Sequence, residues 1–165
     1  MKKLLVLCMT FLMAFSLFGC AEKPNDSKNE ETGGSTEGVV ELNMEQVYEK
    51  LAIQGMIKLE EGMILNLCGV AGEDVNQAVV AICEDSLKTD EIWLMEAKDA
   101  DAAKKIVAAA NNRLQTKGAE SETYSPEQYA VVQQAKLLQK GNYIALIVSP
   151  DVDALAAAFR QEAGM

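Results

Sequence analysis

A chain of 165 residues with 25 acidic and 15 basic side chains is long enough for one well-filled domain and too acidic to hold a phosphate backbone. It contains no histidine, which removes Ser-His-Asp and Cys-His catalytic arrangements and every histidine-ligated metal site. A single tryptophan, Trp93, and few other rings argue against a sugar-stacking platform.

At the start of the chain, Met1, Lys2 and Lys3 give a basic head to the apolar run LLVLCMTFLMAFSLF, the layout of a secretory signal. The run falls short of the roughly 20 apolar residues of a membrane span and meets small Gly19 before the chain turns polar. Its end, LFGC at Leu17 to Cys20, resembles the lipobox of bacterial lipoproteins, although Phe18 stands where a smaller residue is usual. The resemblance implies cleavage between Gly19 and Cys20, with diacylglycerol on the Cys20 thiol. The alternative is an ordinary signal with a cysteine near its cleavage site. Acyl chains contribute about 0.8 kcal/mol per buried methylene, and two or more make anchoring stable. The expected location is therefore the outer face of the cell membrane, tethered through lipid without spanning. Removing residues 1–19 leaves 25 acidic and 13 basic side chains, a net charge of −12 that disfavours nucleic acid and anionic lipid.

Residues 20–38 form the second segment, the lipidated cysteine and a stalk. AEKPNDSKNEETGGSTEG has no aromatic or large aliphatic residue, so it cannot bury enough surface to offset ordering and is expected to act as a flexible tether. Residues 39–165 make one globular domain. Met44, Val47, Tyr48 and Leu51 share the face of a first helix reaching about Gln54, and a second helical stretch is expected from Glu60 to Leu67. After the GVAGEDV turn, NQAVVAICE and EIWLMEA read as strands, short and apolar on both faces. A long helix is expected from Ala100 to Lys117, with Asp99 as N-cap, a stripe of Ala103, Ile106, Val107, Ala110 and Leu114, and Gly118 at its end. SPEQ at Ser125 starts a short helix to about Gln133. AKLLQKGNYIALIVS reads as a hairpin turning at Gly141 and Asn142, and Ser149 or Asp151 caps a last helix with Val152, Leu155, Ala156 and Phe159 on one stripe.

Two hairpins separated by helices predict an α+β domain: one largely antiparallel sheet of four strands, helices packed on one face, and N-terminal helices before it. Cys68 and Cys83 are a candidate disulfide, which would contribute about 3 kcal/mol to an exported chain. Their apolar surroundings equally suit two thiols behaving as small hydrophobes. Asp99 and Asp101, like Asp151 and Asp153, sit at helix starts, where capping explains them better than calcium, since neither stretch continues as an EF-hand loop. Glu84, Asp85 and Glu96 lie at strand ends and would serve glycan hydrolysis only if they converged. Trp93 and Met95 share one strand face, Ile92 and Leu94 the other; one face meets the helices, and core packing is the preferred reading of the opposite face, with a docking patch as the alternative if the N-terminal helices leave it uncovered. No residue pattern calls for a cofactor or a metal, and no catalytic set is assigned.

EIWLMEAKDADAAKKI and KGNYIALIVSPDVDALAAAF together resemble small exported lipoproteins of Firmicutes, the family catalogued as domain of unknown function 4358. The resemblance runs over about residues 42–162. It implies a single-membrane host and an extracytoplasmic domain, and it carries over no catalytic residue. The reading is a lipid-anchored binding or interaction module with an envelope protein partner. The alternatives are a carboxylate-dependent enzyme acting on cell-wall material and a small-ligand carrier for a transporter. The carrier is the weaker of these because solute receptors usually close two lobes around their ligand.

Overall fold

The computed structural model describes residues 41–165; the signal, Cys20 and the stalk lie outside the described residues. In chain order the elements are α1 (Met44–Leu51), β1 (Met56–Lys58), α2 (Glu61–Cys68), a single 3-10 turn (Gly72–Asp74), β2 (Val75–Cys83), β3 (Glu91–Ala97), α3 (Ala100–Tyr124), α4 (Pro126–Gln133), β4 (Lys136–Lys140), β5 (Tyr143–Val148) and α5 (Val152–Glu162). Every strand pairing is antiparallel, in the order β1-β2-β3-β5-β4. The fold is α+β, as the two hairpins imply, but the sheet has five strands where the sequence predicts four. The fifth is β1, only three residues long and too short for a period-two pattern to register. It pairs with the far end of β2, Met56 opposite Cys83 and Lys58 opposite Ala81, and Lys58 reaches Glu45 and Glu49 of α1.

Helices cover both faces of the sheet, and the Ala100 helix and the terminal helix, expected together on one face, lie on opposite faces. On one face Val79, Ala81, Ile92, Leu94, Ala145 and Ile147 pack against α1 and α5 through Met44, Val47, Leu51, Val152, Ala156 and Phe159. On the other, Val80, Trp93, Met95, Ile144, Leu146 and Val148 meet α3, with α2 and α4 beside it, through Ile64, Ala103, Ile106, Ala110 and Val132. This double cover explains why β3 and β5 are apolar at consecutive positions: neither side of either strand faces water. Trp93 is fully buried and so is Leu94, so neither face of β3 is a docking patch. The terminal α5 supplies what α1 alone lacks, a second ridge that fills the layer.

Asp99 caps α3, its carboxylate accepting from the Asp101 and Ala102 amides at 3.0 and 2.8 Å. The helix does not end at Gly118 but continues for almost two more turns to Tyr124. Gly118 is buried within the helix, where an added β-carbon would make ordinary contacts with Tyr129 and Gln133 of α4. What ends α3 is Pro126, which forces the residue before it out of the helical region. Ser125 accordingly adopts φ −150°, ψ 91°, closes α3 and caps α4, its hydroxyl accepting from the Gln128 amide at 3.3 Å. The β4–β5 turn lies at Gly141, whose φ of +56° a β-carbon would strain. At the start of α5, the Ser149 hydroxyl accepts from the Asp151 amide at 3.1 Å, while the Asp151 side chain caps nothing.

Candidate functional site

The first residue of β3 is a carboxylate with no exposure to solvent. Glu91 alternates with Trp93 and Met95, so the pleat points it at α3, into a layer built mainly of apolar side chains. An ionised group there requires partners, and Glu91 has three. Arg113 of α3 engages it side-on, Nε at 3.0 Å from Oε1 and Nη2 at 2.7 Å from Oε2. Lys117, one turn further along α3, places Nζ 2.9 Å from Oε2, and the Trp93 indole donates to Oε1 at 2.7 Å.

Burial pushes the Glu91 carboxyl up, but the Arg113 hydrogen bonds and the charges of Lys117 and Arg113 outweigh it and hold the group below the usual glutamate value. The reciprocal effect raises Arg113, first through its hydrogen bonds to Glu91. The cluster continues outward. Lys117 Nζ donates to the Thr89 carbonyl at 2.9 Å, and the Thr89 amide donates to Gln128 of α4 at 2.9 Å. One carboxylate thus ties β3, the β2–β3 loop, α3 and α4 together. Asp90, half-buried next to it, is raised by burial, with the charges of Lys88 and Lys117 opposing.

Above this cluster lies a cleft of about 330 Å³ between α2 and α3, lined by Asn66, Cys68, Gly69, Asn112, Arg113 and Thr116 among others. Arg113 joins the two: it borders the cleft and keeps a fifth of its side chain exposed while gripping Glu91. α2 contributes its C-terminal turn. The Gly69 amide, at φ +66°, closes on the Leu65 carbonyl at 3.1 Å, and among the described residues no bond reaches the carbonyls of Asn66, Leu67 or Cys68. Cys68 is buried at this junction, its thiol pushed up to about 12 by burial and by the Glu91 charge. It is a protonated, weakly reactive sulfur at neutral pH.

The residues singled out from the sequence lie elsewhere. Cys68 and Cys83 are both free: Cys68 belongs to the α3 layer, whereas strand alternation and its pairing with Met56 turn Cys83 to the α1 side. Glu84 and Asp85 follow β2 at one end of the β2–β3 ladder, and Glu96 sits at the other, opposite Gln77. Five residues of strand at ~3.3 Å each separate Glu91 from Glu96, so these acids do not converge. Glu96 instead accepts from Gln77 at 2.6 Å, and Gln77 in turn holds the backbone of Leu42 and Met44. Asp101 pairs with Lys104 and Asp153 with Lys136, and among the described residues no group of acids and thiols is arranged for a metal.

The sequence does carry a signal for the cluster. Glu91 is in phase with Trp93 and Met95 on a strand apolar on both faces, and Arg113 and Lys117 extend the stripe of Ile106 and Ala110 at helical spacing. Charges in phase with a buried stripe, on two elements that must pack, are a pair in waiting.

The model of the family described as domain of unknown function (DUF4358) matches residues 49–149. The chain belongs to that family. No curated protein and no solved structure matches it. The DUF4358 match is narrower than the stretch over which the sequence resembles the family. It begins in α1 and ends just after β5, so it contains Glu91, Trp93, Arg113, Lys117 and the whole cleft, and leaves out α5.

Proposed function

We propose that the protein is a lipid-anchored extracytoplasmic binding module of a single-membrane bacterium, an exported lipoprotein of the DUF4358 family. The observation that carries the location is LFGC at Leu17–Cys20, closing a basic-headed apolar run and opening a polar tether. Among the described residues no helix is long and apolar enough to cross a membrane. Binding, not catalysis, is the role we assign to the domain. Its strand-end acids are separated by the length of the β2–β3 ladder, and its most confined polar groups are locked in ion pairs beside a cleft.

Expression in a bacterial host with an alkyne-tagged fatty acid tests the anchor. The wild-type chain should take up the label and fractionate with membranes, and Cys20→Ala should lose both properties. Label on the Cys20→Ala protein, or its retention in the membrane fraction, refutes the anchor.

A further inference from the structure

We propose that the cleft between α2 and α3 binds a small organic carboxylate that also carries a hydrogen-bond donor, such as a hydroxy acid or an amino acid, with Arg113 as its anchor. A guanidinium offers two edges to planar anions. Glu91 occupies the Nε/Nη2 edge of Arg113 with contacts of 3.0 and 2.7 Å. The Nη1/Nη2 edge remains: among the described residues Nη1 makes no hydrogen bond, and no side-chain nitrogen that is fully buried lacks a partner, so Nη1 meets solvent.

Glu91, Trp93 and Lys117 fix the guanidinium from behind. A second carboxylate arriving from the cleft would therefore meet a donor pair already ordered, which lowers the entropy lost on binding. Glu120, two turns further along α3, acts on Arg113 by charge alone and donates or accepts no hydrogen bond with it.

The far wall of the cleft selects the rest of the ligand. The last turn of α2 presents carbonyls of Asn66, Leu67 and Cys68 with no partner among the described residues, and the Asn66 side-chain amide is turned to Gly62, which leaves its oxygen as an acceptor. Unpartnered acceptors on residues that line the same cleft as Arg113 suit a ligand with a carboxylate at one end and a hydroxyl or ammonium at the other. The volume of about 330 Å³ is at the small end of ligand pockets. This inference names the ligand class for the binding role proposed above and does not depend on the lipid anchor.

Trp93, the chain's one tryptophan, donates to the carboxylate that Arg113 holds, so its emission reports on the site. The full-length protein in detergent would be titrated with lactate, alanine, acetate, propylamine and sodium chloride, following Trp93 fluorescence and heat. Lactate and alanine should give saturable binding, acetate weaker binding, and propylamine and sodium chloride none. Arg113→Lys keeps a cation for Glu91 but loses the fork, and affinity should fall about ten- to a hundredfold. Asn112→Leu fills the exposed rim of the cleft without touching Glu91, and should weaken binding in a protein with an unchanged circular dichroism spectrum. Absence of both heat and emission change with every carboxylate overturns the proposal, as does unchanged affinity in both variants. If acetate binds as tightly as lactate, the donor requirement is wrong. Failure here with fatty-acid labelling intact sinks the ligand alone, and loss of labelling with binding intact sinks the anchor alone.

Discussion

Glu91→Gln isolates the charge of the buried carboxylate while keeping its shape. Glutamine still accepts from the Trp93 indole, so that 2.7 Å bond survives. What is lost is the counter-charge for Arg113 and Lys117, whose side chains are only 21% and 11% exposed. Breaking a buried ion pair by removing one partner is worth about 3 to 5 kcal/mol. Because Arg113 keeps a fifth of its side chain exposed and Lys117 keeps the Thr89 carbonyl as a partner, the expected loss is at the lower end, about 3 kcal/mol. With an m-value of about 1.5 kcal/mol/M in urea for a domain this size, the unfolding midpoint should fall by about 2 M with the slope unchanged.

The pH dependence supplies an independent check. The folded Glu91 carboxyl lies below its unfolded value of 4.5, so the stability it contributes is fully present above about pH 4.5 and is lost as pH falls through the lower folded value. The gap between wild type and Glu91→Gln should therefore be widest near neutrality and close in acid. A double variant with Arg113→Met should be less destabilised than the sum of the two singles, since the charge that Glu91→Gln strands is then absent. A loss under about 1 kcal/mol, a gap independent of pH, or strict additivity would each refute the view that this carboxylate is ionised and held by α3.

Three further outcomes follow from the same geometry. Phe159→Ala empties the α1–α5 side of the core at a fully buried ring and should lower stability by about 3 to 5 kcal/mol in urea unfolding. Ser125→Ala removes the hydroxyl that receives the Gln128 amide and should lower stability by about 1 kcal/mol, read by the same assay. In the native protein at pH 8, Cys68 should react with an aromatic disulfide reagent much more slowly than Cys83, which is partly exposed, and the two should react alike after unfolding. Equal native rates would show that Cys68 is not sealed.

The apolar periodicity made most elements legible: α1, α2, β2, β3, α4, the β4–β5 hairpin and α5 lie close to where spacing and capping residues put them. Three features were not legible, each for a physical reason. β1 is three residues held by pairing and by Lys58, so its strand character comes from its neighbours. Gly118 resembles a helix terminator because glycine most often is one, yet here it lies inside α3 and the stop comes only before Pro126. The split of α3 and α5 between the two faces was not legible because an amphipathic helix announces that it has a buried stripe without naming the sheet face that the stripe meets.

The cluster of Glu91, Arg113 and Lys117 shows the same limit at the level of the site. A charge in a sequence reads as surface by default, and only the phase of the strand and of α3 turns these three inward. The two faces of the sheet then differ in kind. The α1–α5 layer is mainly apolar, with the Gln77 amide holding the backbone of Leu42 and Met44 at its margin. The α3 layer carries a carboxylate, a guanidinium and an ammonium where aliphatic residues of similar volume would hold the fold as well or better. Stability alone therefore does not account for ions in that layer. A guanidinium held rigid at the floor of a cleft does, because the same contacts that bury Glu91 hold the free edge of Arg113 in place for a ligand.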